Sequence, residues 1–138
     1  MTNETAPHGT GAYTLVELRE LDDSAGPGGF GDSMEARFAR DALGCEQVGI
    51  SLQKLRPGVR APFAHHHDAD EEIYVVIAGS GRAAVDGELI DLKPWSALRV
   101  APSAVRTFEA GDDGLEFLAF GSHTEKDSTI VESSWPSS

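Results

Sequence analysis

Apolar and polar side chains alternate along this chain in short runs, and Gly, Pro and Asp break the runs at intervals of roughly ten residues. YTLVELREL (Tyr13–Leu21) alternates and predicts a half-buried strand. LDDSAGPGGFGDS (Leu21–Ser33), with four glycines and a proline, predicts a flexible connection. Its glycines do not make a phosphate cradle, because the lysine of a P-loop is missing and no convincing helix opens after it. Met34, Ala36 and Phe38 alternate as a strand does. The stretch MEARFARDALG also suits a two-turn helix, and the alternation favours the strand. VGISLQKL (Val48–Leu55) is a further alternating run, closed by the turn signal Arg56-Pro57-Gly58.

From there the predicted strands come quickly. The apolar run Ile73–Ala78 ends at Gly79-Ser80-Gly81. RAAVDGELIDL (Arg82–Leu92) predicts a hairpin, with Asp86-Gly87 supplying the positive φ angles of a two-residue turn. ALRVA (97–101) and VRTFEA (105–110) flank Pro102, GDDG marks another turn, and LEFLAFG (115–121) is the last strong strand. Short strands punctuated in this way indicate one all-β sandwich or barrel. The expected domain covers 12–122, between a polar segment 1–11 that frays and a tail 123–138. Trp135 in that tail is expected to dock on the domain or on a neighbouring subunit.

Composition narrows the function. The 138 residues suffice for one hydrophobic core, and a hydrophobic share of 40% with 25% charged residues is that of a globular chain. A formal charge of −12 repels phosphate backbones and anionic lipid, so no nucleic-acid or membrane partner is expected. Cys45 is the only cysteine, so an internal disulfide is excluded and a buried small hydrophobe is expected. The start of the chain carries no secretory signal, and the longest apolar run is far too short to span a bilayer; a cytoplasmic protein is the expectation.

The candidate chemistry lies in PFAHHHDADEEIYVVIAGSG (62–81), where three histidines run into four carboxylates and then into an apolar strand. Alternation turns His65 and His67 to one face of a strand and His66 to the other. If the DADE segment reverses the chain, Glu72 opens the next antiparallel strand and lies beside the histidine pair. Two imidazoles and a carboxylate then make a facial triad with metal positions left open. Asp68, Asp70 and Glu71 are expected at the rim as solvated acids. An exposed polar turn with no metal is the other reading these residues allow.

The same stretch resembles the first conserved motif of the cupins, with Gly58, His65, His67, Glu72 and Gly79 in the motif's order. The resemblance covers roughly Leu43 to Gly121. It implies a double-stranded β-helix, or jelly-roll barrel, with Fe, Mn, Ni, Zn or Cu held in its mouth, and pairing as a homodimer. One departure stands out. The second motif places a further histidine ligand after the proline, and here, in APSAVRTFEAG, that position looks like Arg106. His123 lies past the last predicted core strand and is expected to be exposed.

A guanidinium stays protonated and does not ligate metal. At about 7 Å and an effective dielectric near 20, an inward Arg106 and a divalent ion repel by roughly 5 kcal/mol, of which Glu72 offsets about half. A bridging anion would remove the conflict, held by Arg106 in a bidentate grip. Alternatively, the pocket is metal-free and Arg106 pairs with Glu72, or Arg106 points outward. Tyr74 shares the face of Glu72 and Phe108 that of Arg106, so both are candidates for the cavity wall. The expected function is that of a small-molecule-binding barrel, with a divalent transition metal and an anionic ligand. If it is an enzyme, an oxygenase-, isomerase- or decarboxylase-like reaction is expected; the alternative is a metal-free binding or sensor protein.

Overall fold

In the computed structural model, which describes residues 8–132 and 135–136, nearly every alternating run has become a strand. In chain order these are β1 (His8–Thr10), β2 (Tyr13–Leu15), β3 (Met34–Phe38), the short helix α1 (Arg40–Leu43), β4 (Val48–Leu55), β5 (Ala64–His67), β6 (Glu72–Val85), β7 (Glu88–Leu92), β8 (Ala97–Val100), β9 (Arg106–Ser122) and β10 (Ser128–Val131). All pairings are antiparallel. β1 and β2 form a separate hairpin, and the other strands form one curled sheet.

Two long strands organise that sheet. The first part of β6 (72–79) pairs with the end of β9, and this pair is flanked by β8 on one edge and by β4 and β3 on the other. The second part of β6 (81–85) pairs with the start of β9, flanked by β7 on one edge and by β5 and β10 on the other. Both strands therefore run through two five-stranded walls, which close into a jelly-roll barrel. The strands turn the corner at a register irregularity between Gly79 and Gly81. At Gly79 the backbone is left-handed (φ +75°), and a Cβ there would lie 2.1 Å from the Gly114 carbonyl oxygen. Only glycine lets the two bends touch.

Several expectations change here. The GDDG segment (111–114) and Gly79-Ser80-Gly81 do not end strands, because paired bulges absorb the extra residues and keep β6 and β9 continuous. Only Tyr13–Leu15 of the first run is a strand, and it is exposed; Leu18–Glu20 coils into a 3-10 turn. There Arg19 reaches Glu116 at 3.0 Å, a tertiary contact that local alternation does not reveal. Met34–Gly44 divides into a strand and a helical turn that Gly44 ends in the left-handed conformation. Residues 8–10 are paired, whereas 1–7 lie outside the described residues. The expected tail contains β10, so the barrel extends past residue 122. Trp135 docks on its own domain, with the Arg60 guanidinium 4.8 Å from its ring centroid.

The hairpin at Asp86-Gly87 is as expected, with φ of 48° and 85°. Leu55, Val76, Val100 and Leu115 are the largest fully buried apolar side chains among the described residues, and Tyr74, Phe108 and Phe117 stack among them with centroids 4.8–5.7 Å apart. Cys45 is half-buried rather than buried. Among the described residues, no helix is long and apolar enough to cross a membrane.

Candidate metal and ligand site

His65 and His67 stand on β5, whose ladder partners are β10 and β9. Glu72 opens β6, which pairs with β8 and β9. The carboxylate therefore meets the imidazoles across the barrel mouth, and not along a shared β5–β6 ladder as the sequence suggests. Glu72 Oε1 lies 3.3 Å from His65 Nε2 and 3.1 Å from His67 Nε2, and it accepts the Tyr74 hydroxyl hydrogen bond. The ligating atoms of His65, His67 and Glu72 all lie within 4.8 Å of one another.

Arg106 is the cross-strand neighbour of His65 and is 0% exposed. Its Nη1 donates to the carbonyls of Pro102 (3.1 Å) and Ala104 (2.9 Å), and its Nη2 stands 3.5 Å from Glu72 Oε1. The guanidinium thus points inward beneath the glutamate. It does not line either of the two cavities that meet at His67 and Glu72. Nor do Tyr74 and Phe108, which belong to the aromatic core behind the site.

Burial alone would raise the Glu72 carboxyl. Hydrogen bonds from His65 and Tyr74, with the charge of the two imidazoles, outweigh it and hold the group down at about 2. Burial and the adjacent Glu72 charge push the Tyr74 phenol well up, so Tyr74 stays a neutral donor.

Sequence reasoning missed a second pair of acids. Asp127, just ahead of β10, lies 3.3 Å from His67 Nδ1 and accepts the backbone N–H groups of Ala69 (3.0 Å) and Asp70 (2.8 Å). Burial opposes its charge, but these N–H groups and His67 prevail and lower its pKa. Asp70, expected at the rim, is buried and accepts from Thr124 N (2.7 Å), Thr124 Oγ1 (3.0 Å) and Ser122 Oγ (3.1 Å). Asp68 and Glu71 are exposed as expected. His123 is exposed in the connection between β9 and β10, 3.8 Å from Glu125.

These residues suit a divalent transition metal. Two imidazoles and a carboxylate converge, and both nitrogens of His67 are buried without an aligned hydrogen bond despite their short distances to Glu72 and Asp127. With Nδ1 turned to Asp127, the Nε2 lone pair is directed at the site. Three protein donors leave positions for water or a ligand. Arg106 stands beside Glu72 as a fixed counter-charge.

No family model matches the sequence, and no curated protein matches it. Solved structures do. A cupin protein from Bacteroides fragilis superposes with a TM-score of 0.67 at 25% identity, over 91% of this chain and 92% of that one. A variant of the B. subtilis oxalate decarboxylase gives 0.72 at 18% identity over 91% of this chain, which spans only 34% of the decarboxylase. A sugar phosphate isomerase of the cupin superfamily from Silicibacter pomeroyi gives 0.65 at 17% identity, over 90% and 96% of the two chains.

Proposed function

Starting from a cupin-type jelly-roll barrel, we propose that this chain binds a divalent transition metal on His65, His67 and Glu72 and offers it to a small molecule with an anionic oxygen group. The observation that carries this reading is the convergence of the three donors, with the ring nitrogens of His67 left without aligned partners. A bound metal would supply Lewis acidity or a redox centre, in line with the isomerase and decarboxylase among the structural neighbours. The chain's own residues do the rest. His65 and Tyr74 hold Glu72 charged, Arg106 stands 3.5 Å away as a counter-charge, and Asp127 orients His67. A divalent ion and Arg106 would be balanced by Glu72, Asp127 and Asp70, so an anionic oxygen donor is favoured by the open positions of the ion itself. The fold relationship also supports pairing of two copies, which sedimentation would read out.

The ion pair between Arg106 and Glu72 supports a second reading, a metal-free ligand-binding barrel. Metal titration separates the two. The wild type should take up close to one equivalent of Mn²⁺, Fe²⁺, Ni²⁺ or Zn²⁺, and Glu72→Ala should lower the affinity by more than about 100-fold. Retention of less than about a tenth of an equivalent after reconstitution would remove the metal from the reading.

A further inference from the structure

Two cavities flank the His67–Glu72 pair, and their chemistry differs. One, of about 430 Å³, is bordered by Arg40, Asp41, Asp70, His123 and Glu125, so its fixed charge is acidic. A small acid entering there meets three carboxylates besides Glu72 against a single guanidinium. The other, of about 330 Å³, lies on the His65 side. Its apolar wall is made by Phe30, Met34, Ala36, Phe38, Phe63 and Ile130, and among the described residues no lysine or arginine lines it. Its polar groups are few, notably Ser51 and Gln53, whose side chains hydrogen-bond each other at 3.0 Å. Phe30 and Phe63 stack at 5.1 Å between ring centroids.

From this contrast we infer that the site takes amphipathic acids: one carboxylate or enolate head at the His65–His67–Glu72 centre and an apolar, ring-sized body in the Phe30–Phe63 cavity. The inference rests on the proposed metal site for the head and on the cavity alone for the body. A volume of this size is at the lower end of the ~300–1,000 Å³ of small-molecule sites, and a mainly apolar wall with a few placed polar groups is their usual composition. Arg106, the only buried lysine or arginine among the described residues, spends Nη1 on two backbone carbonyls, holds Nη2 3.5 Å from Glu72 and lines neither cavity. It is not placed to receive a second anionic group at the far end of a ligand. Phosphorylated sugars and dianions, which need a cation away from the metal, are therefore disfavoured, because each buried charge without a partner opposes binding.

Calorimetry on the metal-reconstituted full chain tests this with benzoate, acetate and inorganic phosphate as probes. Benzoate should bind at least about tenfold more tightly than acetate, since only its ring removes apolar surface from water. Ala36→Phe, which fills the cavity from β3, should erase that margin and leave the metal titration unchanged. Because Ala36 is buried, Phe30→Ala gives a second reading at a half-exposed loop position; benzoate should weaken severalfold, again with unchanged metal affinity. Acetate or phosphate binding as tightly as benzoate overturns the inference, as does a benzoate affinity indifferent to both substitutions. Failure of the metal titration with the benzoate margin intact would remove the metal reading and leave the apolar subsite standing.

Discussion

His65 and His67 lie on the same strand and face the same glutamate, yet their surroundings have little in common. His67 is the more buried, at 13% against 24% side-chain exposure, and Asp127 stands behind its ring. Asp127 is fixed in turn by backbone N–H groups at Ala69 and Asp70, and Asp70 by Ser122 and Thr124. His65 has an apolar cavity at its side and no carboxylate partner besides Glu72 among the described residues. His67 is backed by a hydrogen-bonded scaffold and borders both cavities; His65 lacks that backing and borders the apolar cavity alone. On the proposed function, the asymmetry would divide the work of the centre, with the His67 flank fixing the donors and the apolar flank receiving what binds.

The largest expected effect falls where the two flanks meet. In metal-free protein, Arg106→Met leaves Glu72 buried without its guanidinium, and unfolding in denaturant should show a loss of about 3–5 kcal/mol. The loss should shrink when metal is added, because a divalent ion takes over as counter-charge; a loss that persists unchanged would mean that Arg106 supports the fold independently of the centre.

Acid should reach the same point. Glu72 takes its proton near 4.5 in the unfolded chain and at about 2 when folded. Between those values the unfolded chain holds more protons, so stability is full above the window and declines as pH falls through it. The decline should total about 3 kcal/mol in metal-free protein and flatten in Glu72→Gln. Superimposable pH profiles would remove Glu72 as the cause.

Asp127→Asn sharpens the contrast between the imidazoles. It should lower metal affinity by about 10–100-fold through His67 alone, as outer-sphere carboxylates do. A change too small to resolve in the titration would put both histidines on an equal footing.

The smallest effect belongs to the lip of the apolar cavity. Asp23 accepts the N–H groups of Ala25 (2.9 Å), Gly26 (3.0 Å) and Ala36 (2.8 Å), which lower its pKa and pin residues 24–30 to β3. Asp23→Ala should speed amide exchange in that loop and weaken benzoate slightly, with metal affinity unchanged. Unaltered exchange would mean the loop is held by its apolar contacts.

The sequence shows one flank far better than the other. The histidine pair, Glu72 and the Asp86-Gly87 hairpin are legible because spacing, alternation and turn chemistry are local. Asp127 is not, because it reaches His67 only once a short, exposed strand far along the chain has docked on β5. The sequence leaves the direction of Arg106 open, and its inward placement and withdrawal from the cavity depend on the carbonyls of Pro102 and Ala104. Tyr74 and Phe108 share the inward faces of Glu72 and Arg106, yet they fill the core behind the site, a depth that periodicity does not encode. The break expected at GDDG fails for a related reason: a turn signal ends a strand only where its partner strand has no matching bulge.

The bends at Gly79 and Gly114 constrain how this molecule can breathe. Since β6 and β9 pass through them unbroken, the walls of the barrel cannot part like the shells of a clam without tearing both ladders. If the proposed site admits a guest, it would do so at the lip, where loop residues and not the ladders give way, and the spacing of the donors would be kept from one visit to the next.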